Sequence, residues 1–352
     1  MNEADAIWER IAPFFRPPTE HAGACGDYRT VLEFYDGTPV ETPADWRRRR
    51  DEILAYWHEV MGPWPELIER PSATVLEDGP RENFRQKKLR LEIAPGVTDE
   101  VYLLVPEGEG PFPAVVVLYY EPETAAGLND KALRDFAYAL VKRGFVALSM
   151  GRPEAYPTPE TRTLQRLSFH AYMAANGYNY LTTLPEVDAR LVGVTGHSLG
   201  GKMSMFASCL YEKFACGVWS DGGIVWDEAR PNVNYWEPWY LGWEPGFERE
   251  KGVVTPERPR TGAYRRLLEE GHDLHELHAL MAPRPFLVSG GAEDQLERWL
   301  ALNRSLEVNT FLGHDDRVAM TTREGHSPTA ESNEQMYLFF EYFLKHGKAL
   351  VS

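Results

Sequence analysis

The chain has 352 residues, 43% hydrophobic and 26% charged, and a formal net charge of −16. That is ordinary globular composition, enough for one large domain or two modest ones, and a core of that size needs neither metal nor disulfide support. The acidic balance argues against nucleic acid or an anionic membrane as the main partner, and no stretch reaches the roughly 18 apolar residues of a membrane span.

The opening "MNEADAIWERIAPFF" carries acids where a secretory signal needs basic residues. Cys25, Cys209 and Cys216 form no C-x-x-C pair. Both features lead us to expect a reduced, disulfide-free, cytoplasmic protein, with Cys209 and Cys216 as small buried hydrophobes. In "TPADWRRRRDEILAYWHEVMGPWPE", Ile53, Leu54, Trp57, Val60 and Met61 share one helix face, and Gly62-Pro63 ends it. Arg47 to Arg50 at the start of that helix read as a solvated face. "RQKKLRLEI" and "DEVYLLVP" read as an antiparallel opening hairpin. The expected organisation is an N-terminal helical extension over 1–70, packed on a main domain over 71–352.

After Pro113 the rhythm changes. "AVVVLYY", "FVALSM", "LVGVTG", "ACGVWS", "RPFLVSGG" and "RVAMTT" are short apolar runs, as expected of parallel strands covered on both faces. Helical segments alternate with them: "KALRDFAYALVKRG", Thr163 to Leu184, a helix from Leu199, one near Leu296 to Leu302, and one from Ser332 to Lys345. The predicted class is α/β, with a mostly parallel central sheet and helices on both faces.

Gly196-His197-Ser198-Leu199-Gly200 is a G-x-S-x-G pentapeptide between an apolar strand and a helix. That context suits a nucleophile elbow, in which a sharp turn projects the serine hydroxyl above the sheet edge. The following amide, at Leu199, opens a helix and is aimed at a developing oxyanion. A serine needs a base, and the base an acid, each on a loop at the carboxyl end of a strand. His326 in "MTTREGHSPT" supplies the base. Asp294 in "FLVSGGAEDQ" is the expected acid, with its neighbour Glu293 and the earlier Asp221 in "VWSDGG" as alternatives. The second oxyanion donor is expected at the Tyr120 amide, with Glu121 next. An insertion, 224–281, is dense in aromatics: Trp226, Tyr235, Trp236, Trp239, Tyr240 and Trp243. It reads as a lid, part sugar platform and part satellite core. Trp236 and Trp239 are the rings expected to meet substrate. His272, His275 and His278 recur every third residue, but "HELH" is not the H-E-x-x-H of zinc proteases, so local hydrogen bonding is expected and no metal.

"GVTGHSLGGK", "LHELHALMAPRPFLVSG" and "TAESNEQMYLFFEYFL" resemble the α/β-hydrolase superfamily, within it the bacterial esterases around dienelactone hydrolases, acetyl xylan esterases and glucuronoyl esterases. The likeness spans roughly residues 70 to 346, and "DWRRRRDEILAYWHEVMGPWP" resembles the N-terminal extension of such carbohydrate esterases. The resemblance implies an α/β-hydrolase fold and hydrolysis of a carboxylic ester through an acyl-enzyme, without a cofactor. It carries the triad to Ser198, His326 and Asp294, makes Asp221 the position where some glucuronoyl esterases keep their acid, and makes Lys202 a sugar contact. The chain departs from the pattern at Leu199, where glucuronoyl esterases carry an arginine, so the expectation stays at the broader carbohydrate-ester level. The expected partner is a small-molecule or oligosaccharide ester, not nucleic acid or membrane. An amidase or peptidase would use the same residues. A non-catalytic sugar-binding protein on a hydrolase fold is the contrasting class.

Overall fold

In the computed structural model, residues 2–153 and 163–349 are described. Among these residues, nine strands form one sheet: β1 (Ala73–Arg81), β2 (Phe84–Ala94), β3 (Val97–Pro106), β4 (Phe112–Leu118), β5 (Val146–Met150), β6 (Val187–His197), β7 (Cys216–Ser220), β8 (Phe286–Ser289) and β9 (Val318–Thr321). Their spatial order is β1-β2-β3-β5-β4-β6-β7-β8-β9. β1 to β3 are antiparallel, β3 pairs antiparallel with β5, and every pairing from β5 to β9 is parallel. The opening hairpin is therefore a three-stranded meander. Its extra member, β1, is an exposed edge strand whose "ATVLEDGPR" shows no apolar alternation.

The apolar runs are continuous because both faces of the parallel strands are covered. On β4, Ala114, Val116 and Leu118 enter one core and Val115 and Val117 the other, as period-two side chains must. The helix Pro43–Met61 brings Trp46, Ile53, Trp57 and Met61 into the first core. The helix Glu3–Ile11 and the following turn bring Ile7, Ile11 and Phe15 into the second. Thr42 caps the longer helix by accepting from the Asp45 amide at 3.1 Å. Gly62 ends it at φ +92°, where a Cβ would stand 2.5 Å from the Thr163 carbonyl oxygen.

The chain runs from β4 to β5 on one side and then from β5 to β6 on the other. This reversal opens a crevice at the carboxyl ends of β4 and β6, the position where open α/β sheets hold ligands. Tyr120 follows β4 and Ser198 follows β6. Cys209 and Cys216 are buried thiols, and no cysteine is disulfide-bonded among the described residues. Among those residues, no helix is long and apolar enough to cross a membrane.

Candidate active site

Ser198 stands at φ 59°, ψ −116°, between β6 and the helix Leu199–Leu210. A non-glycine residue held at positive φ is strained, and its neighbours explain how the corner fits. A Cβ at Gly196 or Gly200 would fall on the Leu118 carbonyl of β4, and at Gly201 on the Ser220 carbonyl of β7. Three glycines thus let the helix start directly against two neighbouring strands. The Ser198 amide donates to the Ser220 carbonyl at 2.8 Å, which fixes the turn from the other side.

The His326 imidazole spans Ser198 and an acid. Its Nε2 lies 2.9 Å from Ser198 Oγ and its Nδ1 2.6 Å from Asp221 Oδ2. The acid at the imidazole is therefore Asp221 at the end of β7, which corrects the expectation of Asp294. The two acids exchange amides across adjacent strand ends. Asp221 Oδ1 accepts from the Glu293 and Asp294 amides at 3.0 and 3.1 Å. Asp294 in turn accepts from the Gly223 and Ile224 amides at 2.8 and 2.7 Å. With both its oxygens committed to backbone, Asp294 braces the turn that carries Asp221. Glu293, the other alternative, accepts from Asn232 Nδ2 at 3.2 Å and does not meet His326. Burial, and next the Asp221 charge, push the Asp294 carboxyl up to about 6. At Gly291 a Cβ would stand 2.7 Å from Asp221 Oδ2, so glycine there keeps the acid's place open.

Two arginines hold the histidine loop. Arg323 donates to the carbonyls of Ser289 (2.9 Å), Gly290 (3.0 Å), His326 (2.8 Å) and Ser327 (2.9 Å), tying the end of β8 to the loop after β9. Arg134 donates to Ser327 Oγ at 2.9 Å. His197 is buried beside the His326 ring, 4.8 Å between centroids, with Nδ1 3.1 Å from Ser220 Oγ. Burial, and next the nearby His326, keep it well below 6.5, hence neutral. Sequence reasoning did not find Arg323, Arg134 or His197. Nothing in "TTREGH" marks one arginine as a clamp, because most of its acceptors are backbone carbonyls, joined by the Ser289 and Ser220 hydroxyls.

The Leu199 and Tyr120 amides both border the crevice, and among the described residues neither donates a hydrogen bond. The Glu121 side chain accepts from Thr124 and pairs with Lys131.

The expected substrate contacts divide. Lys202 is 3% exposed. Its ammonium donates to the Gly222 carbonyl and lies 4.6 Å from the Tyr235 ring centroid and 5.6 Å from that of Tyr240. Burial pulls it down to about 8 against the opposing pull of Asp294, Glu293 and Asp221. Lys202 thus sits beneath the acid turn. Trp236 is 1% exposed and donates from Nε1 to the Gly252 carbonyl at 3.0 Å. It belongs to the main hydrophobic core, which corrects its placement on an exposed platform. Trp239 is half-buried, with Lys251 Nζ 5.5 Å from its ring centroid. His272 pairs with Glu276 at 2.7 Å and His275 with the Arg29 carbonyl at 3.1 Å. Among the described residues no cluster is suited to a metal ion.

Residues 172–235 match the family model described as BAAT / Acyl-CoA thioester hydrolase C terminal, a stretch that holds Ser198 and Asp221 but not His326. A glucuronoyl esterase from Solibacter usitatus is similar in structure at a TM-score of 0.70 and 20% identity, over 90% of this chain and 97% of that one. A CE15 glucuronoyl esterase from Teredinibacter turnerae is similar at 0.65 and 19%, over 92% and 89%. A Bacteroides fragilis protein assigned as an acetyl xylan esterase is similar at 0.57 and 18%, over 80% and 76%. No curated protein matches the chain significantly in sequence. The fold is that of the α/β-hydrolase esterases.

Proposed function

We propose that the protein is a serine carboxylic ester hydrolase that works through an acyl-enzyme on a carbohydrate-linked ester. The observation that carries this reading is the Ser198–His326–Asp221 relay, with contacts of 2.9 and 2.6 Å, on a strained strand-to-helix corner. Ser198 Oγ attacks the ester carbonyl while His326 Nε2 takes its proton. Asp221 holds the ring through Nδ1 and stabilises the imidazolium that forms. The Leu199 and Tyr120 amides receive the oxyanion, a contribution of about 3 kcal/mol per donor. His326 returns the proton to the leaving alcohol, and water repeats the sequence to release the acid.

The carbohydrate part rests on likeness to glucuronoyl esterases over 90% of the chain. The half-buried Trp239 offers a ring face for sugar C–H groups. With Leu199 following the nucleophile, backbone amides alone receive the oxyanion in this reading. Turnover of p-nitrophenyl acetate, and its loss in Ser198→Ala with the melting temperature unchanged, tests the chemistry. More than about 1% residual activity would reject Ser198 as nucleophile, because removing a triad nucleophile costs on the order of 10⁶ in kcat. A panel of acetylated xylan, a glucuronate methyl ester, an acyl thioester and simple aryl esters tests the substrate class.

A further inference from the structure

We propose that a cavity at the opposite end of the sheet binds a small organic carboxylate, its charge held by Arg47 and Arg50 and its apolar body laid against Pro43, Pro283 and Leu312. The cavity measures about 440 Å³ and is lined by Trp46, Arg47, Arg50, Pro283, Arg284 and His314, with Glu212 at its side. Glu212 precedes β7, Pro283 and Arg284 precede β8, and His314 precedes β9. Ser198, Asp221 and His326 follow the ends of β6, β7 and β9. The strands are parallel, so the sheet separates this cavity from the crevice.

The four consecutive arginines have different partners. Arg48 pairs with Asp45, Arg49 with Glu52, and Arg50 with Glu212 at 3.1 Å. Among the described residues Arg47 has no ion pair and no hydrogen bond. The Glu212 side chain is 69% exposed, so its hold on Arg50 is weak. Arg284 spends its donors on the carbonyls of Ser208 (2.8 Å), Phe214 (3.0 Å) and Leu280 (2.9 Å), and so contributes charge but no free fork. Burial, and next the Arg50 charge, pull Arg284 down to about 10. Three guanidinium groups against one carboxylate leave this cavity cationic in a chain of net charge −16. An entering anion relieves that repulsion. Apart from His314, the rest of the lining is apolar, with Pro43, Pro283 and Leu312 the accessible members. A bare inorganic anion would leave that surface uncovered, whereas a carboxylate on an apolar body fills both halves, with guanidinium forks suited to it.

Benzoate is the probe, titrated calorimetrically into the wild-type protein, Arg47→Glu and Glu212→Gln. Arg47 is exposed and Glu212 lies on the rim, so both variants should fold and keep wild-type turnover of p-nitrophenyl acetate. Saturable binding is expected, weakened about tenfold or more in Arg47→Glu through loss of a charge-assisted pair and tightened in Glu212→Gln, which frees Arg50. No saturable binding overturns the proposal, as does a dissociation constant equal in all three proteins. Benzoate acting only as a competitive inhibitor of ester turnover, unaltered by Arg47→Glu, places it in the crevice and also overturns it. Inorganic phosphate binding as tightly as benzoate would overturn the role of the apolar wall. Because the readout is binding, these outcomes stand whether or not the chain hydrolyses esters.

Discussion

The 2.6 Å contact from His326 Nδ1 to Asp221 Oδ2 sets two neighbouring carboxylates to different work. Asp221→Asn should place an amide where the ring needs an acceptor, favour the wrong imidazole tautomer, and lower kcat on the order of 10⁴. Asp294→Asn should act through the brace instead. One of its two amide contacts is lost and a buried donor is left facing a donor, at about 1–3 kcal/mol of stability, with a much smaller loss in kcat. Kinetics and melting temperature measured on both variants separate the roles, and a larger kcat loss in Asp294→Asn would reverse the assignment. The serine, the histidine and their order were legible in the sequence, because a G-x-S-x-G between strand and helix and a histidine after the last strand are local signals. The acid was not. Asp221 and Asp294 both follow apolar strands and both satisfy the serine–acid–histidine order. What distinguishes them is a positive φ of 48° at Asp221 and an amide exchange between loops about 70 residues apart.

At the scale of elements, the insertion holds two tryptophans three residues apart with opposite surroundings. Trp236→Ala should remove a ring packed against Tyr264 and the Nε1 bond to Gly252, costing about 3–5 kcal/mol and lowering the melting temperature and every activity together. Trp239→Ala should leave stability and p-nitrophenyl acetate turnover close to wild type and raise KM for a sugar ester, since stacking lies away from the reacting carbonyl. Equal behaviour of the two variants would remove the sugar platform. Composition showed that the insertion is aromatic, but not which rings are inside. Proline and glycine suggest an exposed loop, whereas Ile224, Val233, Tyr235, Trp236 and Leu241 join the main core. The parallel strands were legible because being covered on both faces leaves a continuous apolar run. β1 was not, because an edge strand on the meander needs no apolar face.

Across the whole molecule, buried titratable groups set the response to acid. Burial holds His58 and His275 at about 4, His170 and His278 at about 3, and His197 well below 6.5. As pH falls below 6.5 the unfolded chain takes protons that these folded sites refuse. Their contribution is therefore intact above pH 6.5 and eroded down to their folded values. Asp273 and Asp294 act in the opposite direction. Burial raises them to about 7 and about 6, so the folded state keeps a proton that the unfolded state gives up, and they favour folding as pH falls toward 4. With five histidines against two carboxylates, the balance of these groups is a loss of stability as pH falls from 6.5 toward 4. His278 isolates one share of it. Neither ring nitrogen has a hydrogen-bond partner, and the ring lies 5.3 Å from the Trp219 ring and 6.4 Å from that of Phe286, a site shaped for an aromatic hydrocarbon. His278→Phe should match or exceed wild-type stability at pH 7.5 and lose visibly less on going to pH 5. Urea midpoints at the two pH values decide it: a wild-type midpoint that does not fall, or an equal fall in His278→Phe, would show that this histidine is not excluded from protonation by the fold.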